Sequence, residues 1–218
     1  MINEYIFQIG HHSSIKPETI LEIGALDGRY SKKLQTHFNL TEASVYLVEP
    51  NPTLNEKLTQ HFPEATIIKA AVSDNISDNA VFNLVNSEDY NELGCSSLMT
   101  RMPNAWNNHI SKLHSQITVA TITGASLLCS INKPIDLCII DVEGQTYNVL
   151  KSFENHLTEL KSIMIECEHI ELFRNQRLFN DIQGLLIENQ FRLMSFKYSY
   201  KNQSDSIWIH ENYVDFDF

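Results

Sequence analysis

A strand, a turn and a helix follow one another in Thr19-Ile-Leu-Glu22-Ile-Gly24-Ala-Leu-Asp-Gly28-Arg-Tyr-Ser31. The aliphatic run 20–23 predicts a buried strand, and the two glycines that follow predict the turn that ends it. Tyr30, Leu34 and Phe38 recur at helical spacing, so a helix is predicted directly after the turn. This arrangement is typical of α/β domains in which backbone N–H groups at a helix start face a polar ligand.

The glycine spacing bears on the class of ligand. Gly24 and Gly28 are separated by three residues, none of which is glycine. The dinucleotide motif Gly-x-Gly-x-x-Gly has a middle glycine, and this glycine lets the backbone approach a pyrophosphate. The turn therefore favours a nucleoside ligand without a phosphate bridge, and S-adenosyl-L-methionine is the candidate cofactor. An NAD-dependent oxidoreductase and a non-catalytic module that binds a nucleoside cofactor remain as alternatives, because each can carry the same strand and turn.

Length and charge narrow the class of protein. The 218 residues suit a single domain, residues 1–218, that can bury a sizeable core. The net charge of -11 and the lack of a Lys/Arg cluster argue against nucleic-acid and membrane partners. The N-terminal residues do not predict a signal peptide, and no run of about 18 apolar residues predicts a membrane span. Four cysteines without Cys-x-x-Cys spacing indicate free thiols, so we expect a cytoplasmic protein.

Strand-like and helix-like segments alternate along the chain, which predicts an α/β fold with a doubly wound, mostly parallel sheet. Residues 1–18 are predicted to form a lead-in helix, and 66–72 the third strand. Residues 86–108 are too long for a connector and are predicted to be a substrate or lid loop. A helix is predicted over 175–189, followed by a closing antiparallel hairpin formed by 191–198 and 206–210.

Polar residues at the strand ends are the candidates for ligand binding, because ligands of such sheets lie at the carboxyl ends of the strands. Glu49 ends the second strand and is placed to accept the ribose hydroxyls, with Asn51 as a further donor. Ala71, Ser73 and Asp74 end the third strand and offer a slot for an adenine ring. The alternative for Glu49 is a carboxylate that only terminates the strand. The alternative for Ser73 and Asp74 is a simple polar turn.

A second group of polar residues ends the fourth and fifth predicted strands: Asp141, Glu143, Glu166, Glu168 and His169. Neighbouring carboxyls raise one another's pKa, and such a group can supply a general base. Oxygen ligands could also hold Mg²⁺, but no ligand spacing demands a metal, and none is assigned. The alternative is that these residues cap helices. Asp141 is favoured as functional, because a carboxylate after four apolar residues needs a partner.

The strand ends also carry a family resemblance, which runs in order from about residue 18 to 170. The residues that carry it are Ile20-Leu-Glu22-Ile-Gly24-Ala25 with Gly28, Val48-Glu49-Pro50-Asn51, Ala70-Ala-Val72-Ser-Asp74, Ser96-Ser97-Leu98, Ile135-Asp136-Leu, Ile140-Asp141-Val-Glu143-Gly144, Val149-Leu150 and Ile165-Glu166. In these motifs the chain resembles the FkbM-type S-adenosylmethionine-dependent methyltransferases. It departs from the family at Leu26, where asparagine is usual.

The resemblance implies the Rossmann-like, seven-stranded sheet of class I methyltransferases and the methylation of a hydroxyl group on a sugar or small metabolite. It implies that Gly24 and its neighbours Glu22, Ala25 and Gly28 hold the methionine end of the cofactor. Glu49 and Asn51 would hold the ribose, and the turn 71–74 the adenine.

The resemblance also places Asp141 beside the sulfonium and the acceptor. Asp141 is the first candidate for the general base, and Glu166 and His169 come next. Ser96, Ser97 and Glu143, with Trp106, are predicted to contact the acceptor, which is expected to be a small molecule or a glycan.

Overall fold

The structure is a computed structural model, and it describes residues 1–85, 93–103, 114–200 and 202–215. The described strands are β1 (Ile20–Ile23), β2 (Val45–Val48), β3 (Thr66–Ile68), β4 (Ala71–Val72), β5 (Ser77–Val85), β6 (His114–Ile122), β7 (Leu137–Ile140), β8 (Ser162–Glu168), β9 (Phe191–Tyr200) and β10 (Gln203–His210). The described α-helices are α1 (Ile2–His12), α2 (Arg29–Phe38), α3 (Pro52–His61), α4 (Gly124–Ile131), α5 (Thr146–Ser152) and α6 (Phe179–Glu188). Short 3-10 helices cover Glu42–Ser44, Glu154–Glu159 and Glu211–Tyr213.

Seven of the described strands form the main sheet, in the order β3-β2-β1-β7-β8-β10-β9. The pairs from β3 to β8 are parallel, whereas β10 is antiparallel to both β8 and β9. The predicted α/β class, the doubly wound sheet and the closing antiparallel hairpin are confirmed. The strand order reverses between β1 and β7, which is where a ligand crevice is expected in such a sheet.

A smaller sheet, in the order β4-β6-β5, is inserted between β3 and β7. It divides the single strand predicted over 66–72, because β3 pairs with β2 whereas β4 pairs with β6. The change of partner follows the exposed Lys69, and the Ser73 N–H then donates to the Ile122 carbonyl oxygen at 3.0 Å. Both halves of the predicted strand carry apolar side chains, so hydrophobicity alone does not mark the break.

Apolar clusters cover both faces of the main sheet, because successive side chains of a strand point to opposite faces. In β7, Cys138 and Ile140 pack on the side of the fully buried Trp208, and Ile139 packs on the other. The predicted lead-in helix is α1, and its Tyr5 hydroxyl lies 2.6 Å from Ser162 Oγ at the start of β8. No helix in the described ranges is both long and apolar enough to cross a membrane.

Candidate cofactor and active site

A cavity of about 300 Å³ opens at the carboxyl ends of β1, β2, β7 and β8. It lies at the strand ends where the candidate residues were predicted. Those that line it are Glu22, Gly24, Ala25, Glu49, Ala71, Ser96, Ser97, Asp141, Glu143 and Glu166. The structure therefore brings candidates from both halves of the sheet to one cavity.

The glycine turn forms one wall of the cavity. Gly24 has φ 81, and a Cβ at this position would clash with the Asp141 carbonyl oxygen. The N–H groups of Gly24 and Ala25 both donate to the Val48 carbonyl oxygen, at 2.9 and 3.1 Å. These donors are used within the chain, unlike the ligand-facing N–H groups that the motif predicts. The turn thus shapes the cavity by close packing of β1 against β2 and β7.

Glu49 is buried at the end of β2 and faces the cavity. Its Oε1 accepts the Asn51 N–H at 2.8 Å, and its Oε2 accepts the Leu26 N–H at 3.0 Å. Each carboxylate oxygen can accept a second hydrogen bond. Burial raises the pKa of Glu49 to about 7, although the two N–H donors oppose the shift. The carboxylate is therefore fixed in place with acceptor capacity for a pair of hydroxyl groups.

Leu26, the residue that departs from the family pattern, has φ 50 in the left-handed region. Non-glycine residues are strained there, and asparagine tolerates this region better than leucine. The chain itself places Asn39 and Asn132 in left-handed conformations, at φ 53 and 51. The structure thus gives a physical reason for asparagine at this position, and it shows leucine as the strained substitute.

Leu26→Asn is expected to raise the free energy of unfolding by about 0.5–1 kcal/mol, because it relieves the left-handed strain. Leu26→Ala shortens the side chain without favouring the left-handed region, so it serves as the control and should not stabilise. Urea unfolding of the three proteins measures the difference. Equal stability of both variants would show that φ at this position carries no strain.

Glu22 is buried beneath the turn. Its Oε2 accepts the Ser31 N–H at 3.0 Å, so the carboxyl group caps the start of α2. Burial, together with Asp141 and Asp27, raises the pKa of Glu22 to about 8. This side chain both supports α2 and adds an acidic group to the cavity wall.

Asp141 directly follows β7, Glu166 lies near the end of the adjacent strand β8, and both line the cavity. Burial, followed by the charge of Asp205, raises the pKa of Asp141. Burial, followed by the charges of Asp141 and Glu143, raises the pKa of Glu166 far above its usual value. Glu166 Oε1 accepts a hydrogen bond from Gln203 Nε2 at 3.0 Å, and Asp205 lies opposite Glu166 across the β8–β10 pair.

A raised carboxyl pKa in the folded state makes stability fall as pH rises, because the folded protein holds the proton longer than the unfolded chain does. For Glu166 this loss starts above its usual pKa of 4.5 and continues upward. Glu166→Gln should therefore stabilise the protein by about 1–3 kcal/mol at pH 8.5 and by much less at pH 5.

Thermal melting between pH 5 and 9 tests the Glu166 substitution. The control is Glu188→Gln on the exposed side of α6, which should change the melting temperature little at any pH. A stability difference that does not grow with pH would rule out a raised pKa at Glu166.

The predicted acceptor residues Ser96 and Ser97 line the cavity together with Glu166. Ser97 Oγ donates to the Glu143 carbonyl oxygen at 2.7 Å, and Ser96 Oγ donates to the Leu93 carbonyl oxygen at 2.9 Å. Both hydroxyls therefore build the wall itself. Glu143 has φ 40, and burial, Asp141 and Glu168 raise its pKa to about 8 while Arg101 lowers it.

Six of the predicted residues do not line the cavity: Gly28, Asn51, Ser73, Asp74, Glu168 and His169. Gly28 packs against Phe62, and Asn51 caps α3 by accepting the Thr53 N–H at 3.1 Å. His169 Nε2 lies 2.8 Å from Ser204 Oγ, and its ring contacts Phe179 and other aromatic side chains. Trp106 and most of the predicted loop 86–108 lie outside the described residues.

Tyr30 and Gln203 are two of the lining residues that were not predicted as part of the site. Tyr30 appeared in the sequence only as part of the apolar face of α2, and it reaches the cavity beside the acidic groups, where burial and Asp141 raise its pKa to about 12. Gln203 begins β10 and contacts Glu166. Within the described ranges, no group of three or more His, Cys, Asp or Glu side chains is arranged to hold a metal ion.

The cavity has the features needed for a positively charged nucleoside. Glu49 offers a paired acceptor for a diol, and Ala70, Ala71 and Val72 form an apolar wall for a flat ring. Asp141 also lines the cavity, and because its pKa is raised only to about 6, its carboxylate provides negative charge for a cation at neutral pH. S-adenosyl-L-methionine combines a ribose, an adenine and a positive sulfur, so the residues present fit this cofactor.

Comparison with solved structures shows the same fold. The FkbM methyltransferase from Methylobacillus flagellatus KT has a TM-score of 0.61 at 11% identity, over 96% of this chain and 48% of that one. The magnesium protoporphyrin IX methyltransferase from Synechocystis PCC 6803, solved with bound SAM, has a TM-score of 0.50 at 12% identity. The match covers 96% of this chain and 76% of that one. The ribosomal protein L11 methylase from Lactobacillus delbrueckii subsp. bulgaricus has a TM-score of 0.52 at 11% identity. The match covers 96% of this chain and 76% of that one.

The chain spans about half the length of the solved FkbM methyltransferase, at 48%. No curated protein is significantly similar to the chain in sequence. The family model of the methyltransferase FkbM domain matches residues 22–193, which is most of the chain. The predicted family and cofactor are thereby confirmed, and the chain belongs to the FkbM-type methyltransferases, whose methyl donor is S-adenosyl-L-methionine.

Proposed function

We propose that this chain transfers a methyl group from S-adenosyl-L-methionine to a hydroxyl oxygen of a small acceptor, such as a sugar or another small metabolite. The observation that carries the proposal is the position of Asp141. This partly buried residue packs its backbone against Gly24 of the glycine turn and lines the same cavity as Glu49, Glu143 and Ser97. A group there can reach both the donor and an acceptor.

The residues of the chain supply binding and proton transfer. When bound, the cofactor supplies an electrophilic methyl group on a positively charged sulfur. Glu49 accepts the ribose hydroxyls through the lone pairs that Leu26 and Asn51 leave open. Asp141 accepts the acceptor's hydroxyl proton, and its raised pKa makes it a stronger base than an exposed aspartate. Placement of the acceptor in line with the methyl group supplies much of the rate enhancement.

Glu166 has a different role in this proposal. Its pKa lies far above its usual value, so it holds its proton at neutral pH. A protonated carboxyl group can donate one hydrogen bond, while Oε1 of Glu166 accepts from Gln203 Nε2 at 3.0 Å. Asp141 is therefore the base, and His169 takes no part because it does not line the cavity.

Two further features support a small acceptor in the cytoplasm. The cavity wall is rich in carboxyl groups, which repel phosphate backbones and suit hydroxyl-bearing molecules. All four cysteines lie within the described residues and form no disulfide, as expected in a reducing compartment.

Titration calorimetry and label transfer test the proposed function. The protein should bind S-adenosylhomocysteine and should not bind NADH. Methyl-labelled S-adenosyl-L-methionine, incubated with the protein and a panel of sugars and hydroxylated metabolites, should transfer label to oxygen. Binding of NADH without S-adenosylhomocysteine would restore the oxidoreductase alternative. Binding of S-adenosylhomocysteine without label transfer to any molecule of the panel would favour a non-catalytic module.

A further inference from the structure

Arg101 lies behind the acceptor wall, in a segment that pairs with the chain after β8. The Met102 N–H donates to the Leu172 carbonyl oxygen at 2.9 Å, and the Arg174 N–H donates to the Thr100 carbonyl oxygen at 2.8 Å. This pairing sets Arg101 opposite Phe173, and its guanidinium carbon lies 5.0 Å from the centre of the Phe173 ring. The backbone thus fixes the direction of the arginine side chain.

The guanidinium group connects two walls of the cavity. Arg101 Nη2 donates to the Cys95 carbonyl oxygen at 2.8 Å and lies 3.9 Å from Glu143 Oε2. The side chains of Arg101 and Glu143 are only 9% and 10% exposed. The guanidinium group is charged and little exposed, so removing either of these partners leaves its charge poorly compensated.

The turn that carries Glu143 depends on the same elements. Glu143 has φ 40 and Gly144 has φ 83, so two successive residues are left-handed. A Cβ on Gly144 would lie 2.6 Å from Phe173 Cδ2, which leaves glycine as the residue that fits. Ser97 Oγ holds the Glu143 carbonyl oxygen at 2.7 Å. The turn is therefore supported by Ser97 at Glu143 and by Phe173 at Gly144, and Phe173 is also the residue that Arg101 pairs with.

We propose that Arg101 is a positioning residue of the methyl transfer, which acts by holding the Glu143 carboxylate against the acceptor side of the cavity. This inference rests on the proposed function for its effect on the reaction, but the link between Arg101 and Glu143 is a property of the protein alone. The charged or titratable groups that face Glu143 are Asp141, Glu166, Glu168, Cys95 and Arg101. Arg101 is the one cation among them.

The first test follows the carboxyl group of Glu143 itself. Carbon NMR of protein labelled at the glutamate carboxyls gives its titration, and the resonance is assigned by its loss in Glu143→Gln. Arg101→Gln should move the titration upward by about one pH unit or more, because a cation this close favours the charged carboxylate. Arg101→Lys should give an intermediate shift. Arg177→Gln is the control, since Arg177 lies over Tyr147 on an exposed surface.

The second test is a double-mutant cycle on label transfer. Arg101→Gln should lower transfer about tenfold in the wild-type background and much less in the Glu143→Gln background. If Arg101→Gln does not fold, Arg101→Lys in both backgrounds carries the same comparison. An unmoved Glu143 titration, or additive effects in the cycle, would overturn the inference. Failure of the wild type to transfer label would defeat the proposed function, while the NMR titration would still decide the link between Arg101 and Glu143.

Discussion

Asp141→Asn is expected to lower the rate of label transfer by about 10²–10⁴-fold, the usual range for loss of a general base. The amide is nearly isosteric with the carboxyl group but does not accept a proton at neutral pH. Asp141 also lines the cavity beside other carboxyl groups, so the loss of its charge is expected to weaken the binding of a cofactor with a positively charged sulfur. Affinity is therefore measured with S-adenosylhomocysteine, whose sulfur is neutral, and its Kd should stay within about threefold of the wild type.

Misfolding is not the expected cause of such a loss, because the substitution removes a partly buried carboxyl whose pKa is raised. Replacing such a group with a neutral amide should increase stability above pH 6 rather than reduce it. Asp78→Asn is the control, since Asp78 is exposed on β5 and distant from the cavity lining. Transfer that survives Asp141→Asn at more than about a tenth of the wild-type rate would remove Asp141 as the base.

The rule that ligands lie at the carboxyl ends of parallel strands was enough to select Glu49 and Asp141 as candidates. Each follows a short apolar strand, and the parallel pairing of β2, β1 and β7 brings both to the same edge of the sheet. That part of the site follows from local sequence and a general property of the fold. It required no knowledge of long-range contacts.

The same rule does not separate the candidates near the end of β8. Glu166 and His169 were both candidates, but successive side chains of a strand alternate between faces. Glu166 shares its face with Met164, whereas His169 shares its face with Cys167, whose cluster contains Trp208. The alternation is visible in the sequence, but its use required the exact end of the strand.

Other parts of the site depended on contacts that the sequence does not encode locally. Gln203 reaches the cavity because β10 is antiparallel to β8, so its start, and not its end, meets the carboxyl end of β8. Arg101 meets Glu143 only through the pairing of its segment with Phe173. The departure at Leu26 was visible in the sequence. The physical reason why asparagine suits this position, a left-handed φ, became visible only in the structure.

Glu49→Gln is expected to weaken the binding of S-adenosylhomocysteine by about 10- to 100-fold. The change removes charge-assisted hydrogen bonds, which are about twice as strong as neutral ones. The amide offers one acceptor oxygen in place of two, so either the Leu26 or the Asn51 N–H faces an NH₂ group. Glu49→Asp keeps the charge on a shorter side chain and should bind with intermediate affinity. Glu56→Gln, on the exposed side of α3, is the control and should bind as the wild type does.

The pH dependence separates a ribose contact from a general loosening of the turn. Burial raises the pKa of Glu49 to about 7, and hydroxyl donors bind the ionised carboxylate. The affinity of the wild type for S-adenosylhomocysteine should therefore rise between pH 6 and 8, because a growing fraction of Glu49 is ionised. In Glu49→Gln this part of the rise should disappear, whereas a looser turn would weaken binding equally at every pH. A variant that is weaker than the wild type by the same factor across this range would show that Glu49 supports the Leu26 turn without accepting the ribose.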